Sequence, residues 1–382
     1  MKIQNRKIIY KINQGVDFVI FDEINSEYIL ELFGNKYTSE ILYVRPKPIY
    51  LNFNFFYLFF KSLLSILRSK EKDSLKSILN KSYTLAMILI YKSKSVVTLI
   101  DNNTDFHWAS RYLKTKYFIA IQNGFRLAYV KNNPLFYIDH YFCFGKHEVV
   151  SIPKQGHHIN NFYPCGSLIA DVNLSKNKVE NTKYDILVIS CWRGNIGFTK
   201  EVRDTMSSMK KMDELLARYL SENTNIKAAV ILRSERNSEH WFIPELEIDE
   251  ESYFKSIYKD SATIIENDFK NKNIYKLILE SNFLISTLST ALIEGFGIGK
   301  KSLLCNFTGI DDYHVDFSED IITKSDDYNT FSKNIDYIIQ MPEREYNKKY
   351  FKLQKYYMSL NGEFTVKEYI LKKIEEIIKN KL

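Results

Sequence analysis

Ser289-Thr290-Ala291-Leu292-Ile293-Glu294-Gly295-Phe296-Gly297-Ile298-Gly299-Lys300-Lys301 is the most informative stretch of this chain. An apolar run, Phe283-Leu284-Ile285-Ser286, precedes it, and another, Ser302-Leu303-Leu304-Cys305, follows. The pattern predicts a strand, a small hydroxylated turn, a short helix, a glycine-rich exit and a second strand. The first turn of such a helix offers unpaired N–H groups and a positive dipole end, which favour a phosphate. Glu294 lies about one turn further on the same face as Thr290, where a carboxylate can accept bonds from sugar hydroxyls. Phosphate beside ribose suggests a nucleotide-sugar site. An ordinary strand–turn–helix with a hydroxyl cap and a glycine exit fits the same pattern.

This unit closes a longer alternation. Upstream, apolar runs at 185–189, 228–232, 262–265 and 283–285 read as strands, with helices near 199–221, 250–259, 273–280 and 290–297. The first half alternates in the same way, with strands at 17–21, 41–44, 96–100, 117–121 and 141–144 and helices near 53–68, 73–92 and 104–114. Strands alternating with helices predict an α/β fold with a parallel, doubly wound sheet in each half. Residues 171–183 turn to Asn, Ser, Lys and Thr and read as a linker. The expected plan is an N-terminal Rossmann-like domain over 1–170, the linker, a second Rossmann-like domain over 184–340, and helices over 341–382.

The length of 382 residues suits two domains, and 45% hydrophobic with 15% aromatic content excludes wholesale disorder. A formal charge of +7 suits anionic small molecules or an anionic membrane face, while a pI near 8.8 gives no argument for nucleic acid. Cys143, Cys165, Cys191 and Cys305 are scattered in apolar surroundings and read as buried thiols. No CxxC, HxExxH or DxD pattern argues for a metal, and His157-His158 lacks partners at ligand spacing. The first residues run into a strand-like segment rather than a signal sequence, and no apolar run nears the ~20 residues of a spanning helix. The chain is therefore expected to be cytoplasmic. Segment 49–69 is unusually aromatic: either a core or domain-interface helix, or a membrane-surface face with Lys61 and Arg68 at headgroups.

Ligands in open α/β sheets bind beyond the carboxyl ends of strands. Asp101-Asn102-Asn103-Thr104-Asp105-Phe106-His107 stands there, so Asp101, Asp105 and His107 are candidates for a base or a carboxylate nucleophile. Capping of the next helix by Asp101 or Thr104 is the alternative. Gln122-Asn123-Gly124-Phe125-Arg126 ends the next strand: either a tight turn, or two amides and an arginine aimed at an anionic group. Asp22-Glu23 is a third carboxylate source. In the second half, Ser190-Cys191-Trp192-Arg193-Gly194-Asn195 and Arg233-Ser234-Glu235-Arg236 follow strands and place arginines where phosphate or a sugar carboxylate would sit.

The order of these segments, with Phe144-Gly145-Lys146 and Tyr163-Pro164-Cys165-Gly166-Ser167 between them, resembles bacterial surface-carbohydrate glycosyltransferases of the GT-B fold, akin to transferases of CMP-activated ulosonic acids such as Kdo. The resemblance covers most of the chain through short motifs. It implies donor binding by Ser190, Arg193, Arg233, Arg236, Ser289, Thr290 and Glu294, with Ser289 and Thr290 near phosphate and Glu294 near ribose. Catalysis would fall to Asp101, with Asp105 and Asn123, and acceptor contacts to Glu23, His107, Gln122 and Arg126. The closing helix would pack back across the cleft. It implies a nucleotide-sugar donor, a lipopolysaccharide or capsule glycan as acceptor, no metal and no other cofactor, with peripheral association at the inner membrane face allowed. The His-Pro pair common in related CMP-sugar transferases is replaced here by Arg233-Ser234-Glu235-Arg236, which could instead face a donor carboxylate. A nucleotide-sugar epimerase, a polyol-phosphate transferase or a non-catalytic glycan-assembly protein would use the same architecture.

Overall fold

The computed structural model describes residues 7–45, 47–69, 74–126, 135–177, 179, 181–194, 200–238, 240–244, 247–287, 289–310, 320–359 and 364–379. Asn195, singled out above, lies outside them. The first half begins β1 (Ile8–Ile9), β2 (Phe18–Phe21), α1 (Ser26–Phe33), β3 (Ser39–Leu42), β4 (Ile49–Tyr50), α2 (Phe53–Arg68), α3 (Leu75–Leu89) and β5 (Ser95–Thr98). It continues α4 (Thr104–Tyr112), β6 (Tyr117–Ile121), β7 (Tyr137–Cys143), α5 (Lys146–Lys154), β8 (His158–Pro164) and α6 (Leu168–Lys176). The second half begins β9 (Tyr184–Ile189), α7 (Lys200–Glu222), β10 (Ala228–Ile231), β11 (Phe242–Ile243), β12 (Ile248–Asp249), α8 (Glu250–Tyr258), β13 (Ala262–Ile265) and α9 (Asn273–Leu279). It ends with β14 (Ser281–Ser286), α10 (Thr290–Gly297), β15 (Lys301–Cys305), β16 (Ile322–Thr323), α11 (Tyr328–Gln340), α12 (Glu343–Tyr357) and α13 (Val366–Lys379).

Each half is built on a six-stranded parallel sheet, ordered β3-β2-β5-β6-β7-β8 and β13-β10-β9-β14-β15-β16. Strands such as Phe18-Val19-Ile20-Phe21 are buried on both faces, as central parallel strands require. The strand order reverses between β2 and β5 in the first sheet and between β9 and β14 in the second. These are the two positions where an open α/β sheet leaves a crevice at its carboxyl edge.

The segment read as a linker begins inside a helix. Residues 168–176 form α6, whose N-cap Ser167 accepts from the Ala170 N–H at 3.2 Å, and whose Leu168, Ile169 and Val172 are buried. The passage between the sheets is thus confined to residues 177–183. One apolar cluster runs from the first sheet's inner face through Leu168 and Val172 into the second sheet and on to Ile370, Ile374 and Ile377 of α13. The C-terminal helices return to the first half: the Ser359 N–H donates to Phe144 C=O at 2.7 Å and the Lys367 N–H to Asp171 at 3.2 Å. The four cysteines are buried and form no disulfide. Among the described residues no helix is long and apolar enough to cross a membrane.

Candidate functional site

The carboxyl ends of both sheets face one cavity of about 470 Å³, a volume typical of small-ligand sites. The first half contributes Asn25, Asn123, Phe125 and Arg126; the second contributes Ser190, Arg193, Arg233, Lys272, Ser289, Thr290 and Glu294, among others. Eight of the residues singled out in the sequence therefore line it: Asn123, Arg126, Ser190, Arg193, Arg233, Ser289, Thr290 and Glu294.

The opening stretch folds as its pattern predicts. β14 leads through Ser289, the N-cap, into α10, and Ser289 makes no side-chain capping bond. The glycines serve packing more than capping. A Cβ on Gly295 would strike Leu284 of β14, and one on Gly297 would strike Met358. Gly299 has φ +95°, the left-handed conformation that ends the helix. Thr290 Oγ1 accepts from the Phe125 N–H of the first half at 3.0 Å. Glu294 is buried: Ser167 Oγ donates to Oε1 at 2.5 Å and Tyr275 OH to Oε2 at 3.1 Å. Burial raises its carboxyl from the ordinary 4.5 to about 7, although both hydroxyls pull the other way.

Arg193 and Arg233 give this wall its charge. Burial first, and then the like charge of Arg193, push the Arg233 guanidinium down to about 10. Two residues hold the loops that carry them. Glu250, fully buried at the start of α8, accepts from Ser190 Oγ at 2.5 Å, from the Arg233 N–H at 2.7 Å and from the Ser234 N–H at 2.8 Å. Asn267 donates to Arg233 C=O at 2.9 Å. Neither was marked by the sequence, because Glu250 sits in an acidic helix start that reads as ordinary first-turn charge.

Opposite, Arg126 is fixed by Asp101. Its Nε donates to Asp101 Oδ2 at 3.1 Å, one terminal nitrogen pairs with Oδ1, and the same nitrogen donates to Asn123 Oδ1 at 2.6 Å. Tyr141 OH donates to Asp101 Oδ2 at 2.7 Å. Asp101 is fully buried with both oxygens engaged, so it departs from the free base or nucleophile expected of it. Nor is it a helix cap: Asn103 caps α4, accepting from the Asp105 and Phe106 N–H groups.

The other candidates are not brought to the cavity. Asp105 faces Lys47 at 3.3 Å. His107 is buried behind Asp101: its Nε2 lies 2.8 Å from Asp101 C=O, its Nδ1 accepts from the Tyr137 N–H, and burial pushes it down to about 4. Gln122 is buried between Gly124, Phe144 and Glu148. Glu23 accepts from the Val44 and Arg45 N–H groups, and Arg236 pairs with Glu251 and Glu266 at the surface. Besides Asn267, the residues Asn25, Phe269, Lys272 and Tyr275 were missed; they line the cavity from segments carrying no motif. Among the described residues no group of three metal-ligating side chains is present.

No family model matches the sequence, and no curated protein matches it. Solved structures do. A UDP-GlcNAc 2-epimerase from Neisseria meningitidis bound to UDP-GlcNAc superposes with TM-score 0.57 at 13% identity, over 97% of this chain and 100% of that one. A putative UDP-N-acetylglucosamine 2-epimerase from Listeria monocytogenes gives TM-score 0.58 at 13% identity, over 96% and 97%. The wall teichoic acid polymerase TagF gives 0.50 at 12% identity, over 100% of this chain and 91% of that one. At such identities the likeness is one of fold. The two parallel six-stranded sheets with a shared cleft are the GT-B architecture.

Proposed function

We propose that the cleft binds a nucleotide-activated sugar and that the chain transfers the sugar to a glycan acceptor of a bacterial surface polysaccharide. The observation that carries this reading is the convergence of Arg193, Arg233 and the α10 N-terminus on one wall, with Arg126 on the other. Transfer breaks the bond between the anomeric carbon and the phosphate oxygen, and the electron pair leaves with the phosphate. Fixed cations and helix N–H groups stabilise that developing charge. The acceptor hydroxyl forms the new bond to the anomeric carbon and gives up its proton to the departing phosphate. Asp101 acts through Arg126 as a positioning residue, and Glu294 receives the ribose hydroxyls.

A CMP-ulosonic acid is the proposed donor. Its phosphate and carboxylate bring two negative charges, as does the diphosphate of a UDP-sugar, so the number of cations suits either donor. Epimerisation is the second reading. It is favoured by the superposition on UDP-GlcNAc 2-epimerases over nearly the whole chain, and its nucleotide-sugar would set its phosphates against the same arginines. A thermal-shift panel with CMP, UDP, GDP and their sugars tests both. Stabilisation by a cytidine compound identifies the first donor. Stabilisation by UDP-GlcNAc, with its turnover in the absence of acceptor, identifies the epimerase. No stabilisation by any of them overturns the nucleotide-sugar reading.

A further inference from the structure

α2 has two apolar faces, and the first half of the chain covers one of them. Phe55 and Ile66 are buried, with Phe55 stacked on Tyr50 at 4.4 Å between ring centroids. On the other side Phe53, Phe56, Tyr57, Phe60, Leu64 and Leu67 are 45–87% exposed. Their spacing of i, i+3, i+4, i+7, i+11 and i+14 sets them on one stripe roughly 100° wide. The reading of segment 49–69 as a core helix thus holds for one face only. The stripe exposes on the order of 600 Å² of apolar side chain, the upper end for a soluble monomer. On α3, packed alongside, Leu75 and Leu79 are likewise 69% and 41% exposed.

The charges on the two helices are of one sign, and the stretch between them, Lys70-Glu71-Lys72-Asp73, is neutral in sum. Lys61 and Arg68 follow one edge of the stripe, and α3 adds Lys76 and Lys81; neither helix contains Asp or Glu. We propose that this face docks on an anionic lipid bilayer, with α2 lying in the plane of the interface. An aromatic stripe on a helix whose only charged side chains are cations suits the headgroup boundary. At 16 residues α2 lies on a bilayer rather than crossing it. The same charges disfavour a second copy of the chain, because an antiparallel twofold contact through this face would set Lys61, near the middle of α2, against its own copy. The inference is independent of the nucleotide reading.

The test is cosedimentation of the full chain with vesicles of equal parts phosphatidylglycerol and phosphatidylcholine at low salt. Wild type is expected in the pellet. Phe53→Ser with Phe60→Ser should reduce partitioning roughly 100-fold, about tenfold per buried phenylalanine, with the melting temperature unchanged because both side chains face solvent. Lys61→Gln with Arg68→Gln should reduce it about fivefold per cation, with the effect vanishing at high salt. Wild type remaining in the supernatant overturns the proposal, as does equal binding by the phenylalanine variant. Light scattering that shows a wild-type dimer, made monomeric by the phenylalanine variant without vesicle binding, assigns the face to a second copy instead.

Discussion

Replacing Asp101 by Asn keeps the side chain's shape and removes its charge. In the native chain that charge faces Arg126 through two hydrogen bonds, with Tyr141 and the Asn123 N–H on the same carboxylate. Breaking a buried ion pair from one side typically costs about 3–5 kcal/mol, because the remaining charge is left without compensation. Arg126 keeps 21% of its side chain exposed toward the cleft, so water reaches it and the lower end, about 3 kcal/mol, is expected. Urea unfolding at pH 7 measures this as a lower midpoint at unchanged slope. Asp101→Asn combined with Arg126→Met removes both charges and should cost less than the two single changes together. Nucleotide binding should weaken in both variants, since each frees or removes the guanidinium at the cleft wall. An unchanged midpoint for Asp101→Asn with turnover abolished would refute the positioning role and return Asp101 to the reacting atoms as base or nucleophile.

Arg193→Met should leave the ligand-free chain as stable as wild type or slightly more so, since it relieves the like charge on Arg233. Calorimetry should show nucleotide affinity falling about 10- to 100-fold, the loss of one charge-assisted contact. Glu294 has a folded pKa raised to about 7 from 4.5, so its contribution to stability is complete below pH 4.5 and is lost as pH rises through 7. That loss is on the order of 3 kcal/mol. Glu294→Gln should flatten the decline in urea stability between pH 5 and 8, leaving the part due to Glu148 and Asp213, both also raised to about 7 by burial. Nucleotide affinity of wild type should increase through the same range, because ribose hydroxyls donate to the carboxylate form. Gly295→Ala drives a Cβ into Leu284 and should cost about 1–3 kcal/mol in thermal unfolding, the usual effect of overpacking.

The two sheets were legible because their central strands, such as Asp185–Ile189 and Phe283–Ile285, are continuous apolar runs bounded by turns. Elements at the periphery were not. β8, His158–Pro164, is an edge strand carrying Asn160 and Asn161, and its half-exposed surface removes the apolar signal. α5 contains Pro153, a residue that argues against a helix in sequence. α6 was hidden because its buried residues do not gather on one face; it is enclosed by α13, α9 and α1. Ser190, Arg193, Arg233 and Thr290, read from turns that follow strands, do line the cavity. The same rule misjudged Asp101 and His107. Position at a strand end brings a carboxylate near the cleft, but only tertiary partners such as Tyr141, two strands away, decide whether its oxygens are free.

The groups proposed to hold a nucleotide already have partners, two of them across the cleft from the first half, Ser167 and Phe125. Ser167 and Tyr275 already donate to Glu294, and Phe125 already donates to Thr290. A ribose that reaches Glu294 exchanges one set of hydrogen bonds for another, and a typical exchange nets only about 0.5–1.5 kcal/mol per bond. The phosphate side differs. Arg193 and Arg233 repel each other in the ligand-free cleft, and an anion both relieves that repulsion and gains charge-assisted bonds. In the proposed complex most of the affinity therefore comes from the phosphate, with ribose and base supplying selection. The build of the second half agrees with the proposed division: Glu250 and Asn267 fix the arginine-bearing loops, while burial raises the Glu294 carboxyl to about 7.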